Sequence, residues 1–253
     1  MTRNAILTAV LALLAPAVLA APQKAAWTEL SFPAARVLNI KISGELDGVV
    51  MQGVAASTVT VERTGGAAQT VTAKLSGGTL TIDMAPLARG LTRDLKSGLR
   101  VTLPAATAVS VREKTGSVEL DNISGRVDVV KHAGLLLGEG LSGKLTIINI
   151  GGTADMDKLS CPVYLKQESG SADLSWSAAP QSGELDVVAH AGDVTLRIPA
   201  AIKVNADLRG NAAKIVNEFE ASGGMPVFAS VASTASFRLL KIQPAAAAQP
   251  AAK

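Results

Sequence analysis

One cysteine in 253 residues, Cys161, rules out a disulfide framework. Aromatics are scarce: two Trp, one Tyr and four Phe, 3% of the chain. An extended platform for stacking bases or sugar rings is not expected from so few. Charged types reach only 18%, and the formal net charge is +3. That excess is too small for a nucleic-acid binder of this size. Beyond the first twenty or so residues no apolar run is long enough to cross a bilayer. What the chain has is aliphatic bulk, with hydrophobic types at 48%. Such a composition cannot stay solvated, and it supplies the core of one domain or a small pair.

Residues 1–20 read as a signal peptide. Arg3 gives a positive start, Ala5 to Leu14 is apolar apart from Thr8, and Pro16 breaks the run. Val18-Leu19-Ala20 then offers the small-residue pattern that a signal peptidase needs. A retained anchor is disfavoured, because the apolar stretch is short and contains a proline. No cysteine follows it to carry a lipid. The expected address is the periplasm or cell envelope of a bacterium, where cysteine pairs are optional. Residues 21–36 form an N-terminal lead. Gln243 to Lys253 (QPAAAAQPAAK) is a Pro/Ala-rich tail, expected to be disordered.

Between these ends, Gly116, Gly134, Gly152, Gly170 and Gly192 recur at spacings of 18, 18, 18 and 22. Seven residues before each glycine stand Val109, Val127, Leu145, Val163 and Leu185. Five before stand Val111, Val129, Ile147, Leu165 and Val187, and two after stand Val118, Leu136, Ala154, Ala172 and Val194. Four after come Leu120, Gly138, Met156, Leu174 and Leu196. Within a unit these positions lie two apart on each side of the glycine, the period of a strand with one buried face. A unit this short cannot bury that face alone, so neighbours must stack. The predicted fold is all-β: a parallel β-helix or β-solenoid of 18–22-residue coils, its repeat core at 105–199 within a domain at 37–242.

Two rival solenoids fail on the residues. A hexapeptide helix wants an aliphatic residue every six, yet five after the glycines stand Asp121, Glu139, Asp157, Ser175 and Arg197. A calcium-binding roll needs tandem G-G-x-G-x-D, and Gly151-Gly152-Thr-Ala-Asp155 is one imperfect fragment. Capping β elements are expected on the N-terminal side, from Val37 to Ile42, Thr58 to Val61, Val71 to Leu75 and Leu80 to Met84. Ser76-Gly77-Gly78-Thr79 should turn between the last two. Pro86 to Gly98 reads as one or two helical turns. Val204 to Leu208 and Ser236 to Ile242 are further strands.

The segments Val109-Ser-Val-Arg-Glu-Lys-Thr-Gly116-Ser-Val-Glu-Leu120 and Glu184-Leu-Asp-Val187-Val-Ala-His-Ala-Gly192-Asp-Val-Thr-Leu196, the Val101-Thr-Leu-Pro104 entry and the export-type N-terminus resemble the bacterial putative-adhesin (toastrack-type) β-helical domain of unknown function. The likeness runs from about Val37 to Ile242. It implies an envelope protein without known catalysis, and brings no site residues with it.

Candidate chemistry is sparse. Gly138-Glu-Gly-Leu-Ser-Gly143-Lys144-Leu145 nearly matches a phosphate-binding loop, but Leu145 replaces the metal-binding hydroxyl and the glycines are turn glycines. His132 and His190 share a register three coils apart, about 14 Å, too far to share a metal. Asp155 and Asp173 stand on adjacent coils about 5 Å apart, as paired carboxylates of a polysaccharide-acting β-helix enzyme would. An ordinary soluble outer face explains them better. Arg89, Arg93, Lys96 and Arg100 surround one acid, Asp94, and suit either an anionic envelope ligand or the solvated side of a cap. Cys161 reads as a small apolar filler. No catalytic, metal or cofactor set emerges. The expected function is a non-enzymatic adhesin-like, interaction or scaffold module. Its partner would be an envelope polymer or another envelope protein. Alternatives are the polysaccharide-acting enzyme and an envelope-stress signalling accessory.

Overall fold

A computed structural model describes residues 29–44, 48–64, 69–86, 98–220 and 223–243. The expected signal peptide, the helical turns expected between Pro86 and Gly98, and all but the first residue of the expected tail lie outside them. Among the described residues the chain is nearly all strand, in one mixed sheet of 19 strands with two 3-10 turns and no α-helix. Among these described residues no helix is long and apolar enough to cross a membrane.

Seven strands come first: β1 (Glu29–Pro33), β2 (Asn39–Gly44), β3 (Gly48–Val54), β4 (Thr58–Thr64), β5 (Gln69–Ser76), β6 (Thr79–Pro86) and β7 (Gly98–Pro104). The glycine-spaced region then alternates β8 (Ala108–Glu113), β9 (Ser117–Asp121), β10 (Val127–Lys131), β11 (Leu135–Glu139), β12 (Leu145–Asn149), β13 (Gly152–Leu159), β14 (Val163–Gln167), β15 (Gly170–Trp176) and the long β16 (Leu185–Pro199). β17 (Val204–Gly210), β18 (Ile215–Asn217) and β19 (Met225–Ile242) end the chain's regular structure.

The pairing follows the 18-residue period. β8, β10, β12, β14 and the first half of β16 form one parallel ladder. β9, β11, β13, β15 and the second half of β16 form another. Val109, Val127, Leu145, Val163 and Leu185 are direct register partners in series, as are Val111, Val129, Ile147, Leu165 and Val187. All ten are buried. Like aliphatic side chains therefore lie over one another at the strand spacing of about 4.8 Å, which closes each repeat's apolar face.

The ladders run past the repeat at both ends, and there chain order and stack order part company. β2 and β3 pair with β8 and β9, while β6 and β7 lie on the far side of β2 and β3. The column then reads Leu80, Ile40, Val109, Val127. At the other end β19 pairs along β16, and β17 and β18 pair only with β19. Ser76 and Thr79 are partners across the expected turn, with Gly77 and Gly78 both at positive φ. β1, in the stretch read as a lead, pairs antiparallel with β4, and its Leu30 and Phe32 pack against the core.

The repeat glycines serve close approach. A Cβ on Gly134 would stand 2.0 Å from the carbonyl oxygen of Gly116 one repeat earlier, and one on Gly170 would stand 2.1 Å from that of Gly152. Gly138 interrupts its aliphatic column for a similar reason: the Met156 sulfur fills the space a side chain would need, 2.3 Å from where its Cβ would stand.

Candidate functional site

The acidic pair is in register. Asp155 and Asp173 are partners across β13 and β15. Asp173, however, is clamped by Arg197, whose Nε and Nη2 donate to its two carboxylate oxygens at 2.8 and 2.6 Å. That bidentate bond, with Asp155 close enough to add to the field, holds the Arg197 guanidinium above its ordinary value. Both oxygens of the Asp173 carboxylate are thereby already engaged.

Both histidines are exposed. His190 Nδ1 lies 3.9 Å from the Glu168 carboxylate, which Lys166 also holds at 2.5 Å. The Lys166 hydrogen bond keeps the Glu168 carboxyl below its usual range. These are solvated contacts of little energetic weight. Arg100 is exposed on β7, in register with Glu62 of β4. Arg89, Arg93 and Lys96 fall outside the described residues.

Cys161 is fully buried, and its backbone carbonyl accepts a hydrogen bond from Trp176 Nε1 at 3.0 Å. Burial pushes the thiol up to about 12 from 9.0. The thiolate is the reactive form, so native protein at pH 8 is expected to leave Cys161 unlabelled by a thiol reagent over hours, with full labelling in denaturant. Stoichiometric labelling of folded protein would refute this. The linkage sign follows. The unfolded thiol ionises near 9.0 while the folded one holds its proton, so this group lowers stability as pH rises from 9.0 toward 12.

Two features escaped the sequence reading. The first is a polar row inside the stack of aliphatic columns. Three residues before the glycines, Glu113, Lys131, Asn149 and Gln167 are register partners in series, all at most 1% exposed. Asn149 Nδ2 donates to Gln167 Oε1 at 3.0 Å and to the Gly152 carbonyl at 3.2 Å. Burial draws the Lys131 ammonium down from its ordinary value, and the Glu113 carboxylate beside it opposes the shift. Strand alternation from the −7 and −5 columns would have put these residues inside.

The second feature is a groove of about 1060 Å³ on the outer face of β12, β14 and β16. The spacing of 22 marks it. Five residues connect β9 to β10 and β11 to β12, and three connect β13 to β14, whereas the eight from Ser177 to Glu184 connect β15 to β16. That longer loop walls the groove, its base anchored by buried Trp176. Thr146, Tyr164 and Asp186 cross its floor as register partners. Among the described residues no group of three or more His, Cys, Asp or Glu is arranged to hold a metal.

No family model matches the chain, and no curated protein does. Two solved structures align over most of its length. One is a putative cell adhesion protein from Clostridium sporogenes, 10% identical, covering 85% of this chain and 99% of that one at a TM-score of 0.36. The other is a putative adhesin from Bacteroides fragilis, 14% identical, covering 85% and 96% at a TM-score of 0.29. At these scores the likeness carries no argument about role.

Proposed function

We propose that the chain is an exported, non-enzymatic β-solenoid of the bacterial envelope that acts as an adhesin-like or scaffold surface. The two parallel ladders are its successive coils, with the repeat core at 105–199 inside a domain at 37–242. Residues 1–20 are the export signal, 21–36 the lead and 243–253 the tail. The observation that carries the reading is the in-register stacking. It turns every outward position into a row of side chains across several coils, which is a surface for binding extended ligands. The bidentate clamp on Asp173 weighs against the polysaccharide-acting alternative. Arg89, Arg93, Lys96 and Arg100 are proposed to face an anionic envelope polymer or a partner protein.

The test is incubation of the mature chain with purified envelope polysaccharide, following both co-sedimentation and release of new chain ends. Retention without chain shortening is expected. Shortening that Asp155→Ala or Asp173→Ala abolishes would overturn the non-enzymatic reading.

A further inference from the structure

We infer that the groove on β12, β14 and β16, with the outward row that continues from it, is a binding site for an uncharged oligosaccharide of several rings. The inference rests on the surface-binding reading above and names its ligand class. Its carrying observation is one row of register partners: Thr146, Tyr164, Asp186 and Phe228. The chain has only seven aromatic residues, and the fold sets two of them in this row with an aspartate between. Tyr164 is half-buried in the groove floor, while Phe228 is 40% exposed, one of the few large hydrophobic side chains left open to water.

Charge narrows the ligand. The charged residues lining the groove are Lys144, Glu184 and Asp186, one cation against two anions. Such a lining offers phosphate or a polyanion no net positive charge. Hydrogen bonding narrows it further. β14 is paired on both sides, to β12 and β16, and those strands are paired again beyond it. The floor therefore has no free strand edge for an extended peptide to join. What it offers instead is side-chain donors and acceptors from Ser142, Thr146, Ser160 and Gln181, with Asp186 as a strong acceptor.

Those groups repeat with the strands, at about 4.8 Å per coil, so Tyr164 and Phe228 stand about 10 Å apart along the row. The rows suit a chain of rings with hydroxyls at regular intervals. Each aromatic face can take the apolar C–H side of one ring, and Asp186 can accept from hydroxyls between them. The groove is at the upper end of ligand-pocket sizes, larger than a single ring requires. Tyr164 points out from the sheet, so its replacement should leave the fold intact.

Titration calorimetry of the full mature chain with cellotetraose, chitotetraose and mannotetraose tests the assignment. At least one should bind. Tyr164→Ala should weaken that binding about tenfold or more, and Tyr164→Phe should stay within about threefold. Phe228→Ala should weaken the tetrasaccharide and leave the corresponding disaccharide unchanged. Melting curves of all three variants should overlay the wild type. Binding of none of the three sugars, or equal binding by Tyr164→Ala, overturns the assignment. Tighter binding of a sulfated oligosaccharide or an extended peptide at the same residues overturns it too. Retention on envelope polysaccharide separates the two readings. If retention persists while no tetrasaccharide binds, the surface reading stands and the groove assignment falls. If retention is also absent, both fall.

Discussion

Val129→Asp is expected to cost about 3 kcal/mol or more of folding stability, while Asp128→Ala one position away costs less than about 1 kcal/mol. Val129 is 1% exposed, between Val111 below and Ile147 above. A carboxylate there would have aliphatic neighbours within its own layer and in both adjacent ones. It would either stay charged without a partner or take up a proton at a cost that grows with pH. Asp128 faces outward, and its Oδ2 meets Arg126 Nε at 2.7 Å, an ion pair with one partner 61% exposed. Losing such a pair changes little. Urea melts followed by far-UV circular dichroism measure both. Equal midpoint shifts for the two variants would sink the register, since it places Val129 inside and Asp128 outside.

What the sequence made legible is what the 18-residue period controls. The four aliphatic columns could be written down because each repeat carries the same inward positions, and the pairing partners of Val127 or Ile147 follow from adding or subtracting one period of 18. Legibility ended where the period did. Nothing in the spacing of Ile40 or Val49 says that their strands slot between β6–β7 and β8–β9, because that insertion reverses chain order. The same holds for β19, which lies between β16 and β17 although it comes last.

The candidate site shows a second limit. Phe228 lies outside the glycine spacing, so its place beside Asp186 and its distance from Tyr164 are products of that terminal insertion. Counting aromatics along the chain argued against a stacking surface. Stack order brings two of them into one row. The buried row of Glu113, Lys131, Asn149 and Gln167 was hidden for a different reason: its residue types suggest water, while the alternation of the strand places them inside. Periodicity was the better guide, because a strand whose −7 and −5 positions face inward cannot turn its −3 position outward without a bulge.

Gly134→Ala should destabilise the chain by about 3 kcal/mol or more, against about 1 kcal/mol for Gly77→Ala. The comparison separates two reasons for a glycine. Both positions have positive φ, +88° for Gly134 and +55° for Gly77, so an L-residue is strained at each. At Gly77, in the β5–β6 turn, an added Cβ meets nothing within 4 Å, and backbone strain is the whole cost. At Gly134 the new atom would lie 2.0 Å from the Gly116 oxygen, a backbone atom with no side chain to swing aside. That same oxygen accepts the Leu135 N–H at 3.0 Å, so moving it away breaks a hydrogen bond between neighbouring repeats. The corner cannot open locally, because β10 and β11 on either side of Gly134 are each paired to a strand on both sides. Relief must come from spreading several aliphatic layers at once, which loses contact area in each. Thermal and urea melts of the two variants give the answer. If Gly134→Ala proves no more costly than Gly77→Ala, neighbouring repeats do not sit on one another through their glycine corners, and the outward rows on which the proposed binding surface depends lose their spacing.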